Sequence, residues 1–251
     1  MSVQLLDKMR RINKLLHYDD SNVVSFGDIS RVLSVEFGAG VVVISSKGKV
    51  LGLSQPAFPA LWPGLQVGDF LPAELNERLL NILSTQENAS LQALGFEEEA
   101  CRLLRAIIAP VEISRVRLGT LFIYREDRSF DVDDIILTEH ATMIIGLEMR
   151  RSLSEEASRE FRMQQAARSA AATLSASELG AVRCILEELN GQEGILVASK
   201  IADRMGITRS VIVNAMRKLE SAEIIESRSS GMKGTYIRVL NPLIADELDR
   251  E

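Results

Sequence analysis

A single glycine, Gly206, divides two short apolar repeats, and that corner constrains the chain more than anything else in its sequence. Before it, Ile201, Ala202 and Met205 stand at helical spacing behind Ser199, a residue able to cap a helix. After it, Thr208 is a good N-cap, and Val211, Ile212, Ala215, Met216 and Leu219 recur at the i, i+3, i+4 spacing that buries one helix face. Glycine just past a helix end supplies the positive φ that turns the chain, and Ile207 is placed to plug the corner. The opposite face of the second repeat carries Arg209, Ser210, Asn214, Arg217 and Lys218. An apolar back with a face of donors is the layout of a recognition helix, able to reach phosphates and base edges in the major groove of double-stranded DNA.

Two β-compatible runs follow, Ile224 to Ser229 and Thr235 to Val239, separated by Ser230, Gly231, Met232, Lys233 and Gly234. Turn formers with one cation at the tip describe a hairpin wing that fits beside a phosphate backbone. From Ala198 to Val239 the chain holds eight Lys and Arg against four Asp and Glu, inside a protein of formal net charge -6. Local positive charge on an acidic chain points to a specific polyanion footprint. The candidate DNA-facing residues are Ser199, Thr208, Arg209, Ser210, Asn214, Arg217 and Lys218, with Lys233 and Tyr236 from the wing.

The run from Ala198 to Leu219, and again Gly231 to Ile237, closely resembles the C-terminal domain of the CodY family, global transcriptional regulators of low-GC Gram-positive bacteria. The resemblance implies a winged helix-turn-helix and a repressor of nutrient-responsive genes. Glu223 departs from it, standing where the family commonly has glycine before the first wing strand.

With 251 residues, 46% of them hydrophobic, the chain has material for two moderate cores. It shows no apolar window long enough to span a bilayer and no signal-peptide order, so a cytoplasmic protein with no membrane partner is expected. Val3 to Leu16 and Phe26 to Phe37 read as amphipathic helices, with Gly38 and Gly40 stopping the second. Val41 to Ile44 and Val50 to Leu53 form a hairpin signal around Ser45–Lys49, and Ala106 to Ile113 and Leu118 to Tyr124 are later strands. This α+β pattern implies an antiparallel-sheet sensor domain. The element order is similar to a GAF domain, the sensor half of the CodY family. The expected organisation is a GAF-like domain at 1–148, a helical linker at 149–174 and the winged helix-turn-helix at 175–251.

Ser54 to Ala100 is too long for a plain connection. Its first part carries Phe58, Trp62 and Phe70 among prolines, residues that either line a ligand pocket as a lid or simply cap the core. The resemblance implies a branched-chain amino acid here, with Leu71, Pro72 and Leu75 matching the family's contact block. The family pairs the ligand carboxylate with an Arg just before that block. Between Lys49 and Arg78 this sequence has no Lys or Arg. Sensing of isoleucine in the family's manner is therefore not expected, and an apolar ligand, a different carboxylate partner or no ligand remain open.

The family is also associated with GTP. A P-loop is excluded, because the Gly48-Lys49 pair lacks both the upstream glycine and the following hydroxyl. The resemblance instead implies the first hairpin turn and the interdomain helix, with Ser45, Lys47 and Lys49 matching turn positions and Glu148 the carboxylate. Ser46 and Leu153 replace basic residues of the family.

Asp131 to Leu174 favours one long helix, opened by Asp131, Asp133 and Asp134 at the end that prefers negative charge. Its stripe of Leu153, Ala157, Phe161 and Ala167 can pair with a second copy, giving a homodimer or higher oligomer and an inverted-repeat operator. Ser175-x-x-Glu178 is a capping-box pattern that starts a new helix. Catalysis finds little support: His17 and His140 are separate, Glu97 to Glu99 reads as a solvated acidic run, and Cys101 and Cys184 have no metal-ligand spacing. No catalytic or metal cofactor is expected. The alternative to a ligand-responsive regulator is a DNA-binding one whose sensor serves mainly for dimerisation.

Overall fold

The computed structural model describes residues 3–14, 25–55, 61–96, 103–126, 128–189, 191–230 and 234–249. The chain divides into two compact units, Met1–Leu153 and Ser154–Glu251.

In the first unit, helices α1 (Val3–Asn13) and α2 (Phe26–Phe37) precede the hairpin β1 (Gly40–Ser45) and β2 (Val50–Ser54). Helix α3 (Ala73–Leu80), strand β3 (Gln86–Ser90) and a 3-10 turn at Leu91–Leu94 follow. Strands β4 (Arg105–Ile113) and β5 (Val116–Arg125) then lead into α4 (Val132–Ala172), whose C-terminal part from Ser154 belongs to the second unit. The strands form one antiparallel sheet in the order β2-β1-β5-β4-β3.

Alternation along β1 assigns its side chains to two cores. Val41 and Val43 meet Leu5, Ile12, Ile29, Leu33, Phe37, Leu137 and Ile144 from α1, α2 and α4. Val42 and Ile44 meet Leu71, Leu75, Leu79 and Ile82 from α3 and its flanks. A sheet covered on both faces explains why Val41 to Ile44 reads as an unbroken apolar run. The insert too long for a plain connection holds α3 and β3. Strand β3 is written in polar residues, Gln-Glu-Asn-Ala-Ser, and its pairing with β4 breaks register between Gln86 and Ala89, so it carries no alternation to recognise.

The step from β5 into α4 is anchored by Arg125, which is fully buried. Its guanidinium donates to the carbonyls of Phe37 (3.0 Å), Arg128 (3.1 Å) and Ser129 (2.8 Å), pairs with Asp134 Oδ2 at 2.5 Å, and lies 3.9 Å from the ring centroid of Phe130. Asp134 also accepts the Asp131 N–H while Asp131 accepts the Asp134 N–H. Of the three carboxylates read as helix-dipole partners, Asp131 and Asp134 thus form a reciprocal cap, and Asp134 also holds a buried cation.

In the second unit, α5 (Ala176–Glu188), β6 (Glu193–Leu196), α6 (Ala198–Met205), α7 (Arg209–Ser221), β7 (Ile225–Ser229), β8 (Thr235–Val239) and α8 (Ile244–Leu248) follow the end of α4. The sheet order is β6-β8-β7, and the core joins Val182 and Ile185 of α5, Ile201 of α6, Ile212, Ala215 and Leu219 of α7, and Ile225 and Ile237 of the sheet. Three helices over a three-stranded sheet make a winged helix-turn-helix. The chain has one tryptophan, Trp62, so its fluorescence reports on the first unit alone. Arg125→Met strands Asp134 without its cation and is expected to cost about 3–5 kcal/mol in urea unfolding followed by that signal; a loss below about 1 kcal/mol would show that the guanidinium is not the anchor.

Candidate nucleic-acid interface and sensor cleft

Helix α6 ends as its sequence implies. Gly206 adopts φ 66°, its N–H reaches back to the last turn, and the Ile207 N–H donates to Ala202 O at 3.0 Å. Its start differs from expectation. Strand β6 pairs with β8 as far as Leu196, so the extended residue ahead of the helix is Val197, and Ser199 sits exposed within the first turn rather than capping it. Thr208 does occupy the N-cap of α7, although its hydroxyl makes no capping bond.

Helix α7 buries Ile212, Ala215, Met216 and Leu219 and exposes Arg209, Ser210, Asn214 and Arg217. Lys218 departs from that set. Its ammonium donates to Glu178 Oε2 at 2.7 Å and to Thr173 O at 2.9 Å, which turns it inward from the donor face. Glu178 is buried and completes the capping box of α5, accepting the Ser175 N–H at 2.8 Å while its own N–H donates to Ser175 Oγ. The Lys218 ammonium, and after it the Ser175 N–H, hold the Glu178 carboxyl below its usual range.

Helix α7 closes with Glu223 at φ 54°, the left-handed position that favours glycine. The Glu223 N–H reaches Glu220 O and the Ile224 N–H reaches Leu219 O at 2.9 Å, while Leu219 and Ile224 are buried together. The chain thus makes the left-handed turn at the position where the family commonly has glycine, with a side chain in a strained place. At the wing, Ser229 pairs with Thr235 and the Ser230 N–H donates to Gly234 O. A Cβ at Gly234 would lie 2.3 Å from Leu196 O, so the loop needs glycine to pass β6. Lys233 lies outside the described residues. Tyr236 is half-buried and donates to Glu193 Oε2 at 2.7 Å.

In the first unit, Trp62 and Phe70 line a cleft of about 640 Å³ together with Leu61, Leu65, Asp69, Gly95 and Phe96. Trp62 stands edge-on to Phe96, Phe122 and Tyr124. Leu71 and Leu75, expected as pocket contacts, instead belong to the core beneath, and Pro72 is the N-cap residue of α3. Burial drives them inward: Leu75 is an apolar position on the inner side of α3 and Leu71 leads into that helix, and both pack in the core with Val42 and Ile44 of the sheet. Phe58 lies outside the described residues. Asp69 is the one charged residue lining this cleft among the described residues. Arg78 was missed by reading the chain linearly: it reaches across from α3 to pack against Gly95 on the cleft rim, with Nη1 donating to Leu94 O at 3.0 Å.

The hairpin turn places Lys47 and Lys49 in solvent, while the Ser45 hydroxyl is used inside the turn, accepting the Lys49 N–H at 3.0 Å. Asn76 of α3 donates to Ser46 O at 3.1 Å and fixes the turn from below. Glu148 is buried and accepts from Arg151 at 2.9 Å. No helix among the described residues is long and apolar enough to cross a membrane.

An antiparallel sheet with helices on both faces, continued by a long helix into a winged helix-turn-helix, defines a protein with a sensor-type domain and a DNA-binding domain. The models of the CodY GAF-like domain and the CodY helix-turn-helix domain match residues 4–173 and 192–251. The chain belongs to the CodY family. It is 45% identical over 247 residues to the global transcriptional regulator CodY of Caldanaerobacter subterraneus subsp. tengcongensis, covering 98% of each chain. It is 46% identical over 253 residues to that of Clostridium botulinum strain Alaska E43, again covering 98% of each. The solved cofactor-binding GAF domain of the nutrient sensor CodY from Clostridium difficile aligns with TM-score 0.45 at 30% identity, over 59% of this chain and 99% of that one.

Three outcomes follow from the placement of Glu178, Lys218 and Glu223. Stability contributed by Glu178 is fully present above the usual carboxylate range and is lost as pH falls through its lowered value. Glu178→Gln should flatten the acid limb of unfolding of the C-terminal unit, and Lys218→Ala should cost about 1 kcal/mol while leaving the salt dependence of DNA binding unchanged. A reduced salt dependence in Lys218→Ala would return that residue to the phosphate face. Glu223→Gly relieves the left-handed strain and should raise stability by about 0.5–1 kcal/mol; a fall would show that the Glu223 side chain stabilises the turn.

Proposed function

We propose that this chain is a DNA-binding transcriptional regulator, acting as a homodimer or higher oligomer on an inverted-repeat operator, whose affinity is set by a small molecule held in its N-terminal unit. One observation carries the DNA reading: Arg209, Ser210, Asn214 and Arg217 project to solvent from a helix whose other face is locked into the core. The names of the curated relatives support regulation of transcription, and repression of nutrient-responsive genes in the cytoplasm follows from the family resemblance. Arg209→Ala should weaken binding to the operator and reduce the slope of log affinity against log salt by about one. Unchanged affinity and slope would remove Arg209 from the interface.

The aromatic cleft favours an effector with an apolar body, since Leu61, Trp62, Leu65, Phe70 and Phe96 surround it. Its one charged lining group among the described residues is an acid, which opposes an amino-acid carboxylate. GTP is assigned to the hairpin turn, where Lys47 and Lys49 stand exposed as phosphate partners. In thermal melts of the full chain, isoleucine at millimolar concentration should leave the midpoint unchanged. GTP at about ten times its Kd should raise the midpoint by a few degrees, and Lys47→Ala with Lys49→Ala should abolish that rise. A clear isoleucine shift lost in Arg78→Ala would contradict the cleft assignment and give the carboxylate to Arg78.

A further inference from the structure

The sheet of the C-terminal unit turns one face outward, and the register builds that face in two cross-strand rows. Glu193 of β6, Arg238 of β8 and Glu226 of β7 form one row, and Ile195, Tyr236 and Arg228 form the next. The alternate residues Leu196, Ile237, Ile225 and Val239 belong to the core. On the outward face, Arg228 donates to Glu226 Oε1 from Nε at 3.0 Å and from Nη2 at 2.5 Å. The Tyr236 hydroxyl donates to Glu193 Oε2 at 2.7 Å, and Arg238 Nε stands 4.0 Å from the same oxygen. Two arginines face two glutamates, so the face is formally neutral.

That neutrality changes the electrostatics of the whole domain. Arg204 is also engaged, by Glu188 at 2.9 Å, and Lys218 by Glu178. Lys200, Arg209 and Arg217, all on α6 and α7, carry no such pair among the described residues. Among the described residues of that face, Arg228 and Tyr236 are hydrogen-bonded to glutamates and Arg238 stands at ion-pair distance from one. An arginine that leaves a carboxylate for a phosphate gains the difference between two similar bonds, and the carboxylate left behind repels the phosphate.

We propose that Glu193 and Glu226 are affinity-setting residues of the wing: by holding Tyr236, Arg238 and Arg228 within the sheet, they suppress sequence-independent binding of DNA and leave α6 and α7 to supply the phosphate contacts. Substituting both acids with glutamine keeps an acceptor oxygen for Tyr236 and Arg228, and so keeps the sheet, while removing the competing charge.

The inference rests on the DNA-binding reading, and one titration separates the two. Full-length protein is titrated against a random-sequence duplex by fluorescence anisotropy over a range of KCl. Glu193→Gln/Glu226→Gln should bind roughly tenfold tighter at low salt, with the slope of log affinity against log salt steeper by about two, because each further phosphate neutralised releases about 0.9 counterion. The single Glu226→Gln variant should show about half that change in slope. Both effects should vanish when Arg228 and Arg238 are replaced by alanine. Unchanged affinity and slope in a variant with the wild-type melting temperature would overturn the proposal, as would a gain that survives loss of the two arginines. Folded wild-type protein that binds no duplex would overturn the DNA reading itself.

Discussion

The second unit depends on the carboxylate of Glu178. It takes the N–H of Ser175 at 2.8 Å, which starts α5, and the ammonium of Lys218 at 2.7 Å, which lies on the flank of α7. Lys218 in turn reaches Thr173 O, the last stretch of backbone before the cap. Three parts of the chain are thereby fixed at one buried acid: the end of α4, the start of α5 and the helix whose outer face carries Arg209 and Asn214. Asp134 repeats the arrangement in the first unit, capping α4 while holding Arg125. In both places a cap residue does more than end a helix, because its charge, once buried, demands a cation.

These couplings mark the limit of what the chain discloses in one dimension. The Ser175-x-x-Glu178 pattern names the cap, since a capping box is local in sequence. Nothing local says that the cation beside it comes forty residues later, so Lys218 looks like one more donor on a recognition helix. Likewise Phe26 to Phe37 is legible to the residue because Ser25 and Gly38 punctuate it. Strand β6 is not, being four residues long, with a glycine inside it and only Ile195 and Leu196 as apolar signal. Missing that strand misplaced the start of α6 and with it the role of Ser199. In the sensor unit the apolar block around Leu71 and Leu75 is identifiable as important, yet only the fold decides that those two pack inward while Trp62 and Phe70 face the cleft. Arg78 illustrates the same point from the other side: a search for a cation upstream of that block passes over one that α3 brings to the rim.

Charge shows most clearly how the count and the structure diverge. Eight Lys and Arg against four acids between Ala198 and Val239 suggest a broadly basic domain. Glu178, Glu188 and Glu193 lie outside that interval and neutralise cations within it. The excess that remains is concentrated on α6 and α7, next to Ser210 and Asn214, the side chains able to read base edges. A narrow basic patch beside polar readers suits a regulator that must find particular sites among many similar backbones, because sequence-independent attraction scales with the number of phosphates neutralised.

The claim that, between Ala198 and Val239, the unpaired cations among the described residues all lie on those two helices is tested most directly by the number of counterions released when wild-type protein binds its operator. Affinity measured over a range of KCl should give a slope of about three per bound chain, as expected for Lys200, Arg209 and Arg217 at about 0.9 each, with at most one more from Lys233. A slope near six per chain would mean that the engaged cations, Arg204, Lys218, Arg228 and Arg238, also neutralise phosphates, and would contradict the account.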